Sequence, residues 1–262
     1  MSQLQGLTAV VTGSTSGIGL AIAERLVADG CNLVLNGFGD ADEIERQRGR
    51  LEQSASGRVI YHGADIAEPD QVADMVAIAE ETFGGLDVLV NNAGIQFTAN
   101  VEEFPVEKWQ AILSINLSGA FYAIRAALPG MKQRNFGRIV NVASAHGLVA
   151  SPQKAAYVAA KHGLVGLTKV VALETAPLDI TCNALCPGWV ETPLVQGQIQ
   201  RRAEANGSDY GDEAKALVRE KQPNERFITA PQLAEFVAFL SRREVNTMTG
   251  TALAVDGGWT AQ

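Results

Sequence analysis

Short apolar runs alternate along the chain with longer stretches in which apolar residues return every three or four positions. The runs "LTAVVTG", "CNLVLNG", "RVIYHGAD", "LDVLVNNAG", "GRIVNVAS", "ITCNALCPG" and "TALAVDGG" have the length and β-branched content of strands. Between them the pattern predicts helices over about 17–29, 41–55, 69–83 and 106–133, and another that carries Tyr157 and runs to about 175. The strands are nearly continuously apolar, the mark of parallel strands covered by helices on both faces. The expectation is an α/β fold, a doubly wound parallel sheet of Rossmann type, formed as a single domain over residues 1–262.

One region departs from this rhythm. Residues 190–225 are polar, charged and without a strand, and they follow a strand end, where such folds mount loops over a ligand crevice. They predict a helical lid. No internal repeat, low-complexity tract or Pro/Ser linker divides the chain.

Composition narrows the partners. With 262 residues, 47% hydrophobic and 19% charged, the chain can bury a sizeable core and reads as an ordinary soluble protein. A net charge of −8 argues against nucleic acid or an anionic membrane surface as partner. The start "MSQLQGLTAVVTG" lacks a basic segment followed by a long apolar stretch, so the expected location is cytoplasmic, with no membrane partner. Cys31, Cys182 and Cys186 have no histidine at ligand spacing; they read as small core residues, and no metal site is expected.

In "VVTGSTSGIGLAIAERL", Gly13, Gly17 and Gly19 sit where the first strand turns into the first helix. Glycines there let the backbone turn tightly against a pyrophosphate, whose charge the helix N-terminus attracts. The end of the second strand, "LVLNGFGDADE", has Asn36, Gly37 and Phe38 where an acid for the adenosine ribose is usual. No arginine or lysine lies within 36–42, and Asp40 and Asp42 would repel a 2′-phosphate, so NAD is favoured over NADP. Asp65 after the third strand could hold the adenine amino group or simply cap a helix start. The paired amides of "NNAG", 91–94, suit a wall that fixes strand ends beside a cofactor.

"SPQKAAYVAAKHG" sets Tyr157 and Lys161 four apart, hence neighbours on one helix face, while His162 points off that face and reads as structural. Together with TGSTSGIG at 12–19, NNAG, Asn116 in "SINLSG", Ser144 at a strand end and PG at 187–188, this pair resembles the short-chain dehydrogenase/reductase family over almost the whole chain. The resemblance implies a dehydrogenase in which Tyr157 is general acid/base, Lys161 lowers its pKa, Ser144 binds the reacting oxygen and Asn116 supports a water linking Lys161 to solvent. Bringing a phenol from about 10 to about 7 requires roughly 4 kcal/mol of preferential phenolate stabilisation. It also implies cofactor contacts from Gly13, Thr15, Ser16, Gly17, Ile18, Gly19, Phe38, Asp65, Ile66, Asn92, Gly94, Tyr157, Lys161, Pro187, Gly188, Val190 and Thr192, with Leu194 beside Thr192 at the nicotinamide carboxamide.

The remaining polar residues near these motifs suggest the substrate. Lys154 could pair with a carboxylate, with Gln96, His146 and Gln198 adding hydrogen bonds, while Trp189 and Trp259 would wall a short pocket. These positions resemble the branch of the family that oxidises the small hydroxy acid D-3-hydroxybutyrate to acetoacetate, with Ser144 and Tyr157 at the hydroxyl. Phe97 departs from the pattern, which has histidine there, and predicts a less polar pocket edge. The alternatives are a 3-oxoacyl-carrier-protein reductase, a sugar dehydrogenase, or a dinucleotide-binding protein without catalysis. The family also implies a homotetramer, assembled through the long helices near 106–133 and 154–175 and the C-terminal strand.

Overall fold

The computed structural model describes residues 3–261, apart from the side chain of Leu194. Strands β1 (Thr8–Val11), β2 (Asn32–Asn36), β3 (Val59–His62), β4 (Val88–Asn91), β5 (Gly137–Val142), β6 (Ile180–Pro187) and β7 (Ala252–Val255) form one sheet. Their order is β3-β2-β1-β4-β5-β6-β7, and every pairing is parallel. The chain leaves β1 toward one edge and returns at β4 toward the other. The switch opens a crevice beyond the carboxyl ends of β1 and β4, and the site lies there.

Helices cover both faces, as the apolar strands require. On one face α1 (Gly17–Ala28) and α9 (Ala230–Leu240) bury Ile22, Leu26, Leu233 and Val237 against β1, β2 and β5. On the other, α3 (Pro69–Phe83), α5 (Gly119–Arg134) and α6 (Ala155–Thr175) bury Val72, Met75, Ile124, Met131 and Val171. Helix α2 (Ala41–Ser54) packs beside β3 and starts at Asp40, whose carboxylate accepts from Glu43 N at 3.0 Å. All three cysteines are free and buried, and burial pushes the Cys31 and Cys182 thiols up to about 12.

The helix expected over about 106–133 is interrupted. Helix α4 (Val106–Leu113) passes into α5 through a π turn at Ser114–Ser118 that contains Asn116. Hydropathy periodicity cannot show one inserted residue, whereas a π turn commonly marks a functional position. The runs Val106–Arg134 and Ala155–Thr175 are long and apolar enough to cross a membrane by length and composition alone. Each lays one face on the sheet, while the opposite faces leave Phe121, Val170 and Leu173 exposed.

The lid region forms two helices, α7 (Pro193–Asn206) and α8 (Tyr210–Arg219). Its two ends meet: Val190 pairs with Ile228 as an isolated parallel bridge, and Ile228 N donates to Trp189 O at 2.9 Å. The excursion is therefore closed at its base.

At the opposite end of the sheet, Arg138 of β5 is fully buried. It donates to the Asp179 carboxylate at 2.7 Å and to the carbonyls of Asp179 at 2.8 Å, Arg242 at 3.1 Å and Arg243 at 3.1 Å. It ties β5 to the entry of β6 and to the turn after α9. Arg138→Met leaves those acceptors unpaired and is expected to destabilise the fold by about 3–5 kcal/mol in urea titration. A loss below about 1 kcal/mol would show that water replaces the guanidinium without cost.

Candidate active site

The glycine turn is shaped by what stands behind it. A Cβ on Gly19 would lie 2.2 Å from the Gly13 carbonyl oxygen, and one on Gly13 would lie 2.9 Å from Ala93 Cα. Both glycines admit close contact between the turn, α1 and the end of β4. Gly13 and Gly17 also hold φ of 63° and 56°, which favours glycine. Helix α1 starts at Ser16 without a side-chain cap bond and has no acid in its first turn, so its N–H groups and positive dipole end remain for an anion. Gly13, Thr15, Ser16, Gly17 and Ile18 line a cleft of about 390 Å³. Gly19 stands outside the lining, behind the turn, which corrects its expected role from cofactor contact to support.

At the adenine end the cleft is lined by Asn36, Gly37, Phe38, Ala64, Asp65 and Ile66. Asn36 is wholly buried and spends its amide on the protein: Oδ1 accepts from Gly13 N at 3.3 Å, and Nδ2 donates to the carbonyls of His62 at 3.0 Å and Ala64 at 2.9 Å. It holds three strand-end turns together. Phe38 is 68% exposed and offers a ring to the cleft edge. Asp65 lines the cleft and its Oδ1 accepts from Ala67 N at 2.9 Å, which closes the turn before α3; the cap position of that helix is Glu68, so Asp65 is not the helix cap it could have been. Among the described lining residues the two lysines, Lys154 and Lys161, both lie away from the adenine end. The donors, the tight turn and the acid-free helix start fit an extended dinucleotide.

"NNAG" does what its amides suggested. Asn92 Nδ2 donates to Thr12 O at 2.9 Å and Gly13 O at 3.0 Å, while Asn91 donates to Asn141 Oδ1 at 2.8 Å. Asn92 and Gly94 line the cleft, as do Pro187, Gly188, Val190 and Thr192 on the facing side. Thr192 also caps α7. The side chain of Leu194 lies outside the described residues.

Tyr157, Lys161 and Ser144 meet at the middle of the cleft. The Ser144 hydroxyl hydrogen-bonds the Tyr157 phenol and accepts from His146 N at 3.1 Å. Lys161 stands 5.6 Å from the Tyr157 ring centroid and donates from Nζ to Val142 O at 2.7 Å. Burial depresses Lys161 to about 8. Burial also raises the phenol above its ordinary value, against a smaller lowering by the Ser144 hydrogen bond. That direction is opposite to the one expected from Lys161 alone, because the ammonium is directed at a carbonyl and the desolvation of the phenolate outweighs it.

Asn116 differs from expectation as well. Its Oδ1 accepts from Ile95 N at 2.8 Å and its Nδ2 donates to Ile95 O at 2.9 Å. The side chain is a two-bond clamp on the loop after "NNAG", and it is 2% exposed. Any support for a water falls to the backbone of the π turn, where the regular hydrogen-bond ladder is broken.

The substrate end holds Gln96, His146, Lys154, Trp189 and Trp259. Lys154 Nζ lies 4.6 Å from the Trp189 ring centroid, and Trp189 stacks on Trp259 with centroids 5.8 Å apart. Burial, then repulsion from Lys221, lowers Lys154 to about 8. His146 packs edge-on to both Trp259 and Tyr157 and shares Nε2 with Ser151 Oγ at 3.0 Å. Burial first, then Lys154, lowers it to about 3, so its imidazole is neutral near pH 7. Gln198 sits on α7 and does not line the cleft in this lid position. Phe97 turns outward instead, edge-on to Phe104 at 5.6 Å, so it sets no polarity inside the pocket. His162 accepts no cleft role; its Nδ1 lies 3.0 Å from Val158 O.

Sequence reasoning missed several apolar walls, among them Ile95, Ile115, Val142, Ala143 and Val195. Val142 and Ala143 directly precede Ser144, so β5 running to its carboxyl end was their available signal.

The chain matches the family described as enoyl-(acyl carrier protein) reductase over residues 13–260. It is 54% identical to a D-beta-hydroxybutyrate dehydrogenase of Cupriavidus necator, over 99% of this chain and 100% of that one. A D-beta-hydroxybutyrate dehydrogenase of Rhizobium meliloti is 51% identical over 97% of this chain and 99% of its own. The crystal structure of levodione reductase superposes with a TM-score of 0.90 at 31% identity, covering 98% of both chains. With the glycine turn, the Ser144–Tyr157–Lys161 cluster and this full-length likeness in place, the chain belongs to the short-chain dehydrogenase/reductase family.

Proposed function

We propose that this protein is an NAD-dependent dehydrogenase that oxidises D-3-hydroxybutyrate to acetoacetate, reversibly. The observation that carries the reading is Lys154: a buried ammonium, without an ion-pair partner among the described residues, held over Trp189 in the same cleft as Ser144 and Tyr157. Such a charge is costly unless a ligand anion meets it. A short 3-hydroxy acid presents a carboxylate to Lys154 and a secondary alcohol to Tyr157 at once. The names of the two relatives above half identity agree with this substrate.

Tyr157 takes the hydroxyl proton, and Ser144 donates to the same oxygen as it becomes a carbonyl. NAD, when bound, supplies the acceptor for the hydride leaving C3. Gln96 and neutral His146 orient the carboxylate with Lys154, and closure of the lid brings Gln198 toward it. Thr15, Ser16, Gly17 and Ile18 hold the pyrophosphate, and Phe38, Asp65 and Ile66 the adenosine. The reading includes a cytoplasmic homotetramer, as the family resemblance implies, and the exposed apolar residues Phe121 of α5 and Val170 and Leu173 of α6 support subunit contacts there.

Mixing the protein with NAD and D-3-hydroxybutyrate is expected to raise the absorbance of reduced nicotinamide, with the L-enantiomer inert. Activity only toward 3-oxoacyl thioesters or sugars would overturn the reading. The cofactor has its own test. NAD is expected to exceed NADP in kcat/KM by about 100-fold, and Phe38→Arg to narrow that gap about 10-fold by supplying a charge-assisted bond to the 2′-phosphate. Equal use of both cofactors by the parent protein would defeat the assignment.

A further inference from the structure

We propose that Gln222 is a positioning residue for the substrate pocket, holding the exit of the lid against the turn that carries Trp189 and thereby fixing the indole that sets the length of the pocket. The inference rests on the substrate reading above.

Gln222 is fully buried, yet it belongs to a connecting turn rather than to the core. Its Oε1 accepts from the backbone N–H of Trp189, and its Nε2 donates to Arg226 O at 2.5 Å. The other side of the Trp189 peptide is held too, because Ile228 N donates to Trp189 O at 2.9 Å. Both hydrogen-bonding groups of the Trp189 backbone therefore go to the segment leaving the lid. Gly188 is what lets the amide in: a Cβ there would lie 2.4 Å from Gln222 Oε1.

The turn around Gln222 is itself over-determined. Glu225 holds a φ of 53°, which a non-glycine residue keeps only when its surroundings require it. Glu225 N donates to Gln222 O at 2.9 Å, Arg226 N to Asn224 Oδ1 at 3.1 Å, and Arg219 of α8 reaches the Glu225 carboxylate at 2.9 Å. On its far side the turn meets the last glycines: Asn224 N donates to Gly257 O at 3.2 Å, and Pro223 lies 3.5 Å from where a Cβ on Gly258 would stand. Trp259 follows immediately. One turn thus sits between the two segments whose tryptophans stack, and it continues directly from α8. Lid position and indole position are joined through the Gln222 amide.

Trp189 carries Lys154 on its face, so a displaced indole moves both the apolar wall and the cation. The glycine turn and the adenine end are untouched. The consequence is a split: affinity for the hydroxy acid changes and affinity for NAD does not.

Gln222→Met keeps the length of the side chain and removes both hydrogen bonds, whereas Gln222→Glu keeps the acceptor for Trp189 N. The methionine variant is expected to raise KM for D-3-hydroxybutyrate about 10-fold with KM for NAD within about twofold, since small misplacements of pocket walls cost this much or more. It is also expected to gain kcat/KM for an acid one methylene longer, relative to D-3-hydroxybutyrate, and the glutamate variant to recover part of both effects. If the methionine variant does not fold, the glutamate variant, which loses only the bond to Arg226 O, decides by a smaller rise of about threefold in KM for the hydroxy acid with KM for NAD unchanged. Unchanged KM, or KM rising equally for both substrates, overturns the role of Gln222. A parent protein inert toward D-3-hydroxybutyrate overturns the substrate reading instead.

Discussion

Tyr157→Phe is expected to lower turnover of D-3-hydroxybutyrate by at least about 1,000-fold while leaving NAD affinity within about threefold, because only the proton acceptor is removed. The phenol oxygen is the group placed to take the hydroxyl proton, with the Ser144 hydroxyl bonded to it. The ring itself is kept, so its edge contact with His146, at 5.9 Å between centroids, and its place on α6 survive. In the proposed function the dinucleotide would be held mainly along the glycine turn and the ends of β1, β2 and β4. Steady-state rates and a calorimetric NAD titration check the two halves separately. Turnover within about 10-fold of the parent would remove Tyr157 from the proton transfer.

The same substitution bears on how the phenol becomes a base. Burial drives the Tyr157 pKa upward in this structure, and Lys161 donates to Val142 O at 2.7 Å rather than to the phenol. Lys161 is at the edge of its own charge, near 8. Its ammonium is therefore fully present below about 8 and lost above it, so phenolate support weakens as pH rises through that value. The activating charge must come from the whole site rather than from the tyrosine–lysine spacing alone.

Much of this was legible from residues. The alternation of apolar strands and amphipathic helices marked all seven strands and five of the covering stretches, since parallel strands buried on both faces leave a strong hydropathy signal, but it left the covering helix α9 (Ala230–Leu240) unpredicted. The glycine turn was legible because its backbone geometry tolerates few residue types, and "NNAG" because its amides bond across strand ends. What escaped was local. The π turn at Ser114–Ser118 adds one residue to a ladder without altering the pattern of apolar faces. Asn116 read as a site residue and Asn36 as the occupant of a missing acid's place, yet each spends its amide on neighbouring backbone, a fact set by loops distant in sequence. Gln198 lies on α7, in the stretch expected to be a lid, but it is not among the residues that line the cleft, and sequence carries no signal for how far α7 stands from it. Phe97 shows the same limit, because its ring packs edge-on to Phe104 and not in the cleft, a contact that its place two residues after Ile95 does not reveal.

Lys154→Ala is expected to raise KM for D-3-hydroxybutyrate about 100-fold, roughly the 3 kcal/mol of a charged hydrogen bond in a desolvated site. Lys154 is 6% exposed, its ammonium lies over the Trp189 face, and it feels the repulsion of Lys221, neither of which neutralises it. Binding the substrate carboxylate supplies the missing counter-charge, so the loss falls on substrate affinity and leaves NAD affinity unaltered. The sign of the pH dependence follows from the same environment. Burial and then Lys221 lower Lys154 to about 8; it is charged below that value and neutral above it. In the parent protein KM for the hydroxy acid is therefore flat on the acid side and climbs as pH rises through about 8, whereas the substrate carboxylate, already ionised, contributes no change there. His146 adds none either, since burial keeps it neutral down to about 3. In the alanine variant the climb disappears and KM is high throughout. A KM that still rises above about 8 in Lys154→Ala would assign the titration to another group, with Lys161, also near 8, the first to test.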